Sequence, residues 1–311
     1  MNPLHIVKID TKKSGIYQRP LMKAKIIPHH SSVSIFSGSQ GSGKSTLVNN
    51  FLSNKMMLKG YYDAIFLVIG SDDDMYDGLI EQNVIKKQHV IKDPTSDKIQ
   101  MIIDNQKASI QKVDDISKAP KILIIFDDVQ NNLKLMNSKA FLECFTAPRH
   151  MNASIFMLCQ YINILPKKCR LQANYLFIFK SSKSEMDVLC DQFCLPDMTK
   201  KEFCKMLLDV TKDTFDEEGN RKVNFLLITK GSDDNKRFRK NLDEYILRKG
   251  VEAPKVEIDL AESESDEEKQ ENKEKDEKKL EIIEKEEVTN PHIHKHVRPQ
   301  ARHHFRNPLM R

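Results

Sequence analysis

GSQGSGKS, residues 38–45, is the stretch of sequence that predicts the fold. Its spacing is that of a phosphate-binding loop, GxxxxGK[ST], which lies between a buried strand and a helix. The apolar run 33–36 precedes it and predicts the strand, and residues 44–52 have the pattern of a helix. The sequence therefore predicts an α/β P-loop NTPase.

The loop also predicts which residues bind ATP. Backbone N–H groups of such a loop, together with the N-terminus of the helix that follows, bind the phosphates. Lys44 is expected to contact the β and γ phosphates, and the Ser45 hydroxyl is expected to ligate Mg²⁺. The predicted nucleotide-binding residues are Gly38, Ser39, Gln40, Gly41, Ser42, Gly43, Lys44, Ser45 and Thr46.

A second site feature is a pair of acids at the end of a strand. The apolar run 122–126 leads directly into Asp127 and Asp128, and buried acids are costly unless they have a use. We interpret Asp127 as part of the Mg²⁺ shell and Asp128 as the group that orients or deprotonates the attacking water. Gln160, at the end of a later strand, is predicted to sense the γ-phosphate.

Two arginines are candidates for an arginine finger. Arg149 lies just before the strand that ends at Gln160, and Arg170 follows that strand. In ring ATPases an arginine at the position of Arg149 can reach the phosphate of a neighbouring subunit, which raises the rate by roughly 10³–10⁵. A structural or surface role remains the alternative for both residues.

The remaining pattern predicts the architecture. Strands are expected at residues 22–27, 33–36, 64–69, 122–126, 154–158, 175–179 and 224–228. Helices are expected at 44–52, 137–145, 184–193 and 199–210, with a polar, mostly helical stretch at 71–118. Continuous apolar strands that alternate with helices indicate a mostly parallel sheet flanked by helices, and ligands of such sheets bind at the carboxyl ends of the strands.

Charge divides the chain into four segments. Residues 1–30 form a lead-in and residues 31–250 the predicted ATPase domain. Residues 251–290 are acidic and of low complexity, with a net charge of −9, and residues 291–311 are basic and rich in histidine, with a net charge of +5. Residues 251–311 are therefore expected to form a disordered, charged tail.

Residues 1–250 carry a net charge of +9. A basic domain suits nucleic acid, although a surplus of solvated lysines would give the same value. On charge alone, the candidates for DNA phosphate contacts are Lys167, Lys168, Arg237, Arg239 and Lys240.

The sequence contains no apolar run of the ~20 residues that a membrane span needs, and it does not begin with a signal peptide. We therefore expect a soluble intracellular protein whose six cysteines are free thiols.

Several motifs together resemble one family. They are GSQGSGKS at 38–45, ILIIFDD at 122–128, RHMNASIFMLCQ at 149–160, ILPKKCRLQANYLFIF at 164–179, and NFLLITK at 224–230 before KRFRKN at 236–241. Their order is similar to that in the genome-packaging ATPases of poxviruses and other large nucleocytoplasmic DNA viruses, a branch of the FtsK–HerA superfamily. The resemblance spans roughly residues 30–245.

This resemblance implies a RecA-like core that assembles into a homo-oligomeric ring, a hexamer or pentamer, and threads double-stranded DNA into a preformed capsid. It implies ATP and Mg²⁺ as cofactors, a capsid or portal protein as partner, and the virion and cytoplasmic viral factory as location. It also implies Asp128 as the catalytic acid, Gln160 as the sensor and Arg149 as the finger acting in trans. Most of the wider superfamily has Glu where Asp128 stands, but the viral branch accepts Asp.

Two other functions are weighed against the motor. A small-molecule kinase would fit the length of the chain, but it would not explain a sensor Gln or the basic domain. A DNA-binding scaffold could bind nucleotide without hydrolysing it. ATP hydrolysis stimulated by duplex DNA distinguishes the motor from both.

Overall fold

The computed structural model describes residues 19–71, 74–232, 236–242 and 244–247. The predictions for residues 1–18 and for the acidic and basic segments at 251–290 and 291–311 lie outside these residues. Within the described ranges, no helix combines the length and apolarity needed to cross a bilayer.

Eleven strands are present in the described residues: β1 (Val33–Ser37), β2 (Ala64–Ile69), β3 (Val90–Lys92), β4 (Ile122–Asp127), β5 (Ala153–Cys159), β6 (Tyr175–Ile178), β7 (Thr214–Phe215), β8 (Arg221–Lys222), β9 (Leu226–Thr229), β10 (Phe238–Lys240) and β11 (Glu244–Tyr245). Nine of them form one sheet in the order β11-β10-β9-β6-β1-β5-β4-β2-β3, and β7 pairs with β8 in a separate hairpin. From β6 to β3 all neighbours are parallel, while β9, β10 and β11 pair antiparallel at one edge.

The helices are α1 (Pro20–Lys23), α2 (Lys44–Ser53), α3 (Asp77–Glu81), α4 (Ser96–Gln111), α5 (Leu133–Met136), α6 (Lys139–Thr146), α7 (Lys167–Gln172), α8 (Lys183–Phe193) and α9 (Lys200–Val210). Buried side chains form one apolar cluster on each face of the sheet, and α2 and α3 pack on the face opposite to α4 and α6–α9. Both faces are covered because successive strand residues point to opposite sides, as with Ile35 and Phe36, which belong to different clusters. This arrangement confirms the predicted RecA-like P-loop architecture, with a mostly parallel sheet between two layers of helices.

The strand predicted at residues 22–27 is wrong, because helix α1 (Pro20–Lys23) and the turn that follows it cover this range. Pro20 occupies the first helical turn, where its missing N–H costs nothing, and the residues that follow favour helix. Lys25 then adopts a left-handed conformation with φ of 57°, and the N–H of Ile26 bonds back to the carbonyl of Leu21 at 2.9 Å. This is the hydrogen-bond pattern that commonly ends a helix.

Three further differences concern elements that the sequence did not predict. The helix predicted at residues 137–145 is α6, and the short helix α5, which was not predicted, lies directly before it; Asn132 and Ser138 cap the two helical starts with their side chains. The strand predicted at 224–228, expected to be the last, is followed by β10 and β11 at the sheet edge. The polar stretch 71–118 contains α3 and α4, but also the short strand β3.

Candidate active site

The glycine-rich loop has the backbone that its sequence requires. Gly43 lies at φ of 89°, a left-handed conformation that glycine adopts without strain, and it caps the start of α2. Gly38 is needed for close packing, since a Cβ atom there would lie 2.6 Å from Cβ of Phe179. The loop therefore turns tightly from β1 into α2, with the helix N-terminus facing the cleft.

Lys44 lies across this loop. Its ammonium donates hydrogen bonds to the carbonyl oxygens of Gly38 at 2.7 Å and Ser39 at 3.0 Å. Burial lowers the pKa of Lys44, and the carboxylate of Asp127 opposes that shift. The ammonium is thus held over the phosphate loop by backbone oxygens that a phosphate could replace.

Ser45, in the first turn of α2, and Asp127, at the end of β4, are brought together although β1, which leads into α2, is not a neighbour of β4. The Ser45 hydroxyl donates to Oδ2 of Asp127 at 3.2 Å, across the end of β5, which separates β1 from β4. Burial raises the pKa of Asp127, while hydrogen bonds from Tyr76 and Ser45 and the charge of Lys44 oppose the rise. A hydroxyl and a carboxylate are hard oxygen ligands, so this pair fits Mg²⁺.

Asp128 is held in a hydrogen-bonded network. Its backbone is left-handed, with φ of 53°. Oδ1 accepts from the amides of Gln130 at 3.0 Å and Gln160 at 3.2 Å, and Oδ2 accepts from Ser71 at 3.1 Å. Gln130 also fixes Gln160 by accepting its backbone N–H at 2.7 Å. The structure therefore places the predicted sensor and the predicted catalytic acid in direct contact.

One cleft of about 1030 Å³ joins these groups. Its polar end contains Asp127, Asp128 and Gln160, and its other end is walled by Phe179, Val223 and Phe225. The predicted binding residues on its walls are Gln40, Gly41, Ser42, Gly43, Lys44, Ser45 and Thr46, whereas Gly38 and Ser39 contribute through the carbonyl oxygens that hold Lys44. A triphosphate over the loop would thus place its γ-phosphate near the acids and its base near the apolar wall.

The sequence did not predict four further residues that either bond to the two acids or line the cleft. Ser71 and Gln130 bond to Asp128, Tyr76 bonds to Asp127 at 2.6 Å, and Met75 lines the cleft. Gln130 had a sequence signal, namely its position two residues after the acid pair. Ser71 follows the end of β2 closely, and the rule that parallel strands present ligands at their carboxyl ends could have identified it.

The two candidate arginines have different surroundings. Arg170 is buried, and its guanidinium donates to the carbonyl oxygens of Asn163 and Leu165 and to the side chain of Gln192. Arg149 is exposed and makes no side-chain hydrogen bond or ion pair with the described residues. Arg149 precedes β5, whose seven residues span roughly 20 Å. Because β5 runs parallel to β1, Arg149 lies near the amino ends of these strands, whereas the phosphate loop of the same subunit lies at their carboxyl ends.

Three of the five basic residues considered for DNA contact have partners within the chain. Arg239 is 1% exposed and donates to the carbonyl of Lys25 and the hydroxyl of Tyr245, so the suggestion that it contacts DNA is wrong. Arg237 donates to the carbonyl of Phe193 at 3.0 Å, and Lys240 lies 3.7 Å from Glu244. Lys167 and Lys168 are exposed at the start of α7.

Comparison with known proteins gives two relatives in sequence and one solved structure of similar fold. The chain is 27% identical over 157 residues to "DNA packaging protein OPG160" of variola virus, covering 49% of this chain and 54% of that protein. It is 26% identical over 147 residues to "Uncharacterized protein 015R" of frog virus 3, covering 47% and 42%. The chain thus spans about half the length of these relatives. The genome packaging NTPase B204 of Sulfolobus turreted icosahedral virus 2 superposes with a TM-score of 0.46 at 15% identity, covering 68% of this chain and 97% of B204.

A family match covers more of the chain. Residues 20–258 match the family described as "Poxvirus A32 protein". This range contains the phosphate loop, the acid pair, Arg149 and Gln160, and it confirms the resemblance predicted from the motifs. With more than three quarters of its length matched, the chain belongs to the poxvirus A32 protein family.

Proposed function

We propose that this chain is an ATP-hydrolysing motor that moves double-stranded DNA into a viral capsid. The observation that carries the proposal is the joined site: a phosphate loop, a Ser45–Asp127 pair and an Asp128–Gln160 pair line one cleft. A protein that only binds nucleotide has no need of the second pair. Family membership and the name of the variola relative support DNA as the polymer that is moved.

The residues of the site have separate tasks in this proposal. The loop and Lys44 bind the phosphates, and Ser45 and Asp127 hold Mg²⁺, which neutralises charge on the phosphates. Asp128 accepts a proton from the attacking water, or orients it, and the amide of Gln160 fixes Asp128 from the neighbouring strand. Gln160 also faces the cleft, so its side-chain amide would contact the γ-phosphate of bound ATP and would lose that contact when the γ-phosphate leaves.

We extend the proposal to a ring in which Arg149 completes the site of the next subunit. Arg149 is too far from its own phosphate loop to act in cis, and its side chain makes no hydrogen bond or ion pair with the described residues. Arg170 is engaged by carbonyl oxygens of its own subunit, which favours Arg149 as the finger. A ring of five or six copies, a capsid or portal protein as partner, and the virion and viral factory as location follow from the same proposal.

The domain division also remains a prediction. It assigns residues 31–250 to the ATPase, with the lead-in before it and the acidic and basic segments after it.

The direct test measures ATP hydrolysis by the purified chain with and without duplex DNA. The motor requires Mg²⁺-dependent hydrolysis that rises severalfold with duplex DNA. A nucleotide-binding scaffold would bind ATP without turnover, and a small-molecule kinase would consume ATP only with its acceptor. Absence of hydrolysis in the presence of DNA, with ATP bound, would refute the motor.

A further inference from the structure

A buried tyrosine outside the cleft contacts the metal-shell acid. Tyr76 ends a short 3-10 helix, Asp74–Tyr76, that follows β2. Its side chain is 1% exposed, it does not line the cleft, and its hydroxyl donates to Oδ2 of Asp127 at 2.6 Å. At this length, with a carboxyl oxygen as acceptor, the bond belongs to the short class of hydrogen bonds.

The turn that carries Tyr76 is anchored to the phosphate-loop helix. The side-chain amide of Asn49, in α2, donates to the carbonyl of Met75 at 2.6 Å. Tyr76 also packs in the apolar cluster on that face of the sheet. The turn that positions the Tyr76 hydroxyl is therefore bonded to α2, the helix that also contains Ser45.

The hydrogen bonds to Asp127 leave one oxygen for a ligand. Tyr76 and Ser45 both donate to Oδ2, and the backbone carbonyl of Asp127 accepts from the N–H of Gly70 at 3.0 Å. Among the described residues, no hydrogen bond reaches Oδ1. When Ser45 turns to a metal ion, Tyr76 is the side chain that still holds the carboxylate in place.

We propose that Tyr76 is a positioning residue that orients Asp127 toward Mg²⁺ bound with the nucleotide. It acts through Asp127 and touches neither the nucleotide nor the metal. The inference rests on the proposed function, because it takes Mg-ATP as the ligand of the cleft. Partners of this kind, one step removed from a metal, typically change metal affinity or activity by about 10- to 100-fold when they are lost.

A tyrosine that only fills the core would give a different result. Tyr76→Phe keeps the ring and its packing and removes only the hydroxyl. A core residue would then change thermal stability alone. A positioning residue would raise the Mg²⁺ concentration needed for tight nucleotide binding, while binding without metal stays the same. Tyr62→Phe is the matched control, because Tyr62 is a buried tyrosine of the same cluster that does not line the cleft.

The experiment titrates Mg²⁺ into the protein with a fluorescent ATP analogue and follows binding. For Tyr76→Phe we expect the half-saturating Mg²⁺ concentration to rise about 10-fold or more, with Tyr62→Phe equal to wild type. Equal Mg²⁺ dependence in Tyr76→Phe and wild type would overturn the inference. An unfolded Tyr76→Phe would overturn it as well, because the hydroxyl would then serve the fold.

Hydrolysis measured in parallel separates this inference from the proposed function. If wild type hydrolyses ATP and Tyr76→Phe shows the Mg²⁺ dependence of wild type, only the role of Tyr76 is wrong. If wild type binds the analogue with Mg²⁺ but never hydrolyses ATP, the motor is wrong, and the Mg²⁺ titration still decides the role of Tyr76.

Discussion

The amide of Gln160 donates to Oδ1 of Asp128 at 3.2 Å and joins the ends of two neighbouring parallel strands, β5 and β4. The two residues are separated by 32 positions in sequence. Their contact links the acid that would act on water to the residue that would sense the γ-phosphate.

Gln160→Ala should show whether Gln160 serves hydrolysis or only nucleotide binding. Loss of the amide removes one of the hydrogen bonds that hold Asp128 but leaves the phosphate loop intact. We expect ATP affinity to stay within about twofold and kcat to fall roughly 10- to 100-fold, a typical range for one hydrogen bond to a charged group. Steady-state kinetics checks this, and a rise in KM with unchanged kcat would show that Gln160 serves only binding.

Substitution of the acid pair should produce two different defects. Asp128→Asn keeps the shape of the side chain and removes the proton acceptor, so it should bind Mg-ATP and hydrolyse it about 10²- to 10⁴-fold more slowly. Asp127→Asn should lose the Mg²⁺-dependent part of ATP binding as well. Binding and turnover measured on both variants decide the assignment, which fails if Asp128→Asn turns over at the wild-type rate.

Lys44→Ala should abolish ATP binding without unfolding the protein. Among the described residues, the ammonium donates hydrogen bonds to the loop carbonyl oxygens of Gly38 and Ser39 and forms no salt bridge, so its removal does not break an ion pair in that part of the chain. Calorimetric titration with ATP, together with a thermal melt, tests this. The matched control is Lys201→Ala, an exposed lysine of α9. Unchanged ATP affinity in a folded Lys44→Ala protein would contradict the site.

The site was largely predictable because it depends on local patterns. The phosphate loop has a fixed spacing, and the acids and Gln160 follow apolar runs of strand length. Parallel strands present their carboxyl ends at one edge, so these groups had to meet. Even Ser45, at the start of the helix that follows β1, and Asp127, at the end of β4, could be paired in this way although β5 lies between the two strands.

Tyr76 could not be predicted in this way. It is 51 residues from Asp127 in sequence, in a polar stretch with no clear period, and only the turn after β2 brings it to the carboxylate.

Arg239 was misjudged for a related reason. Its charge suggested an exposed surface, but the edge strand β10 turns it inward to the carbonyl of Lys25. Charge alone does not reveal which face of an edge strand is covered.

His30 should make stability depend on pH. Its ring donates from Nε2 to Asn152 at 2.9 Å and lies 3.2 Å from the Ser154 hydroxyl, and burial lowers its pKa to about 4, with the charge of Lys121 acting in the same direction. Between pH 6.5 and about 4 the unfolded chain binds a proton that the folded protein does not. The free energy of unfolding should therefore fall as pH decreases through that range, by up to about 3 kcal/mol from this residue.

Urea unfolding of wild type and His30→Gln at pH 7, 6, 5 and 4 measures this contribution. The neighbouring His29, whose pKa burial also lowers to about 4, titrates in both proteins, so the difference between them reports His30. The variant should be less stable at pH 7 and should lose less stability toward pH 4. Parallel curves would contradict the assignment.

Arg149→Ala should bind ATP normally and hydrolyse it poorly, because a finger stabilises charge only in the transition state. Mixed with Lys44→Ala, which has an intact finger and an empty site, the variant should recover activity, since some interfaces then pair a good site with a good finger. Activity is measured across mixing ratios, with co-assembly checked by light scattering. Co-assembled mixtures without any recovery would exclude Arg149 as the trans finger.

The most direct test of the motor asks whether ATP moves the protein along duplex DNA. A third strand bound as a triplex near one end of a linear duplex is displaced when a translocating protein reaches it. The account predicts displacement that requires ATP and Mg²⁺ and is absent with Lys44→Ala and Asp128→Asn. ATP hydrolysis stimulated by the duplex, but without displacement of the third strand at any ATP concentration, would contradict it.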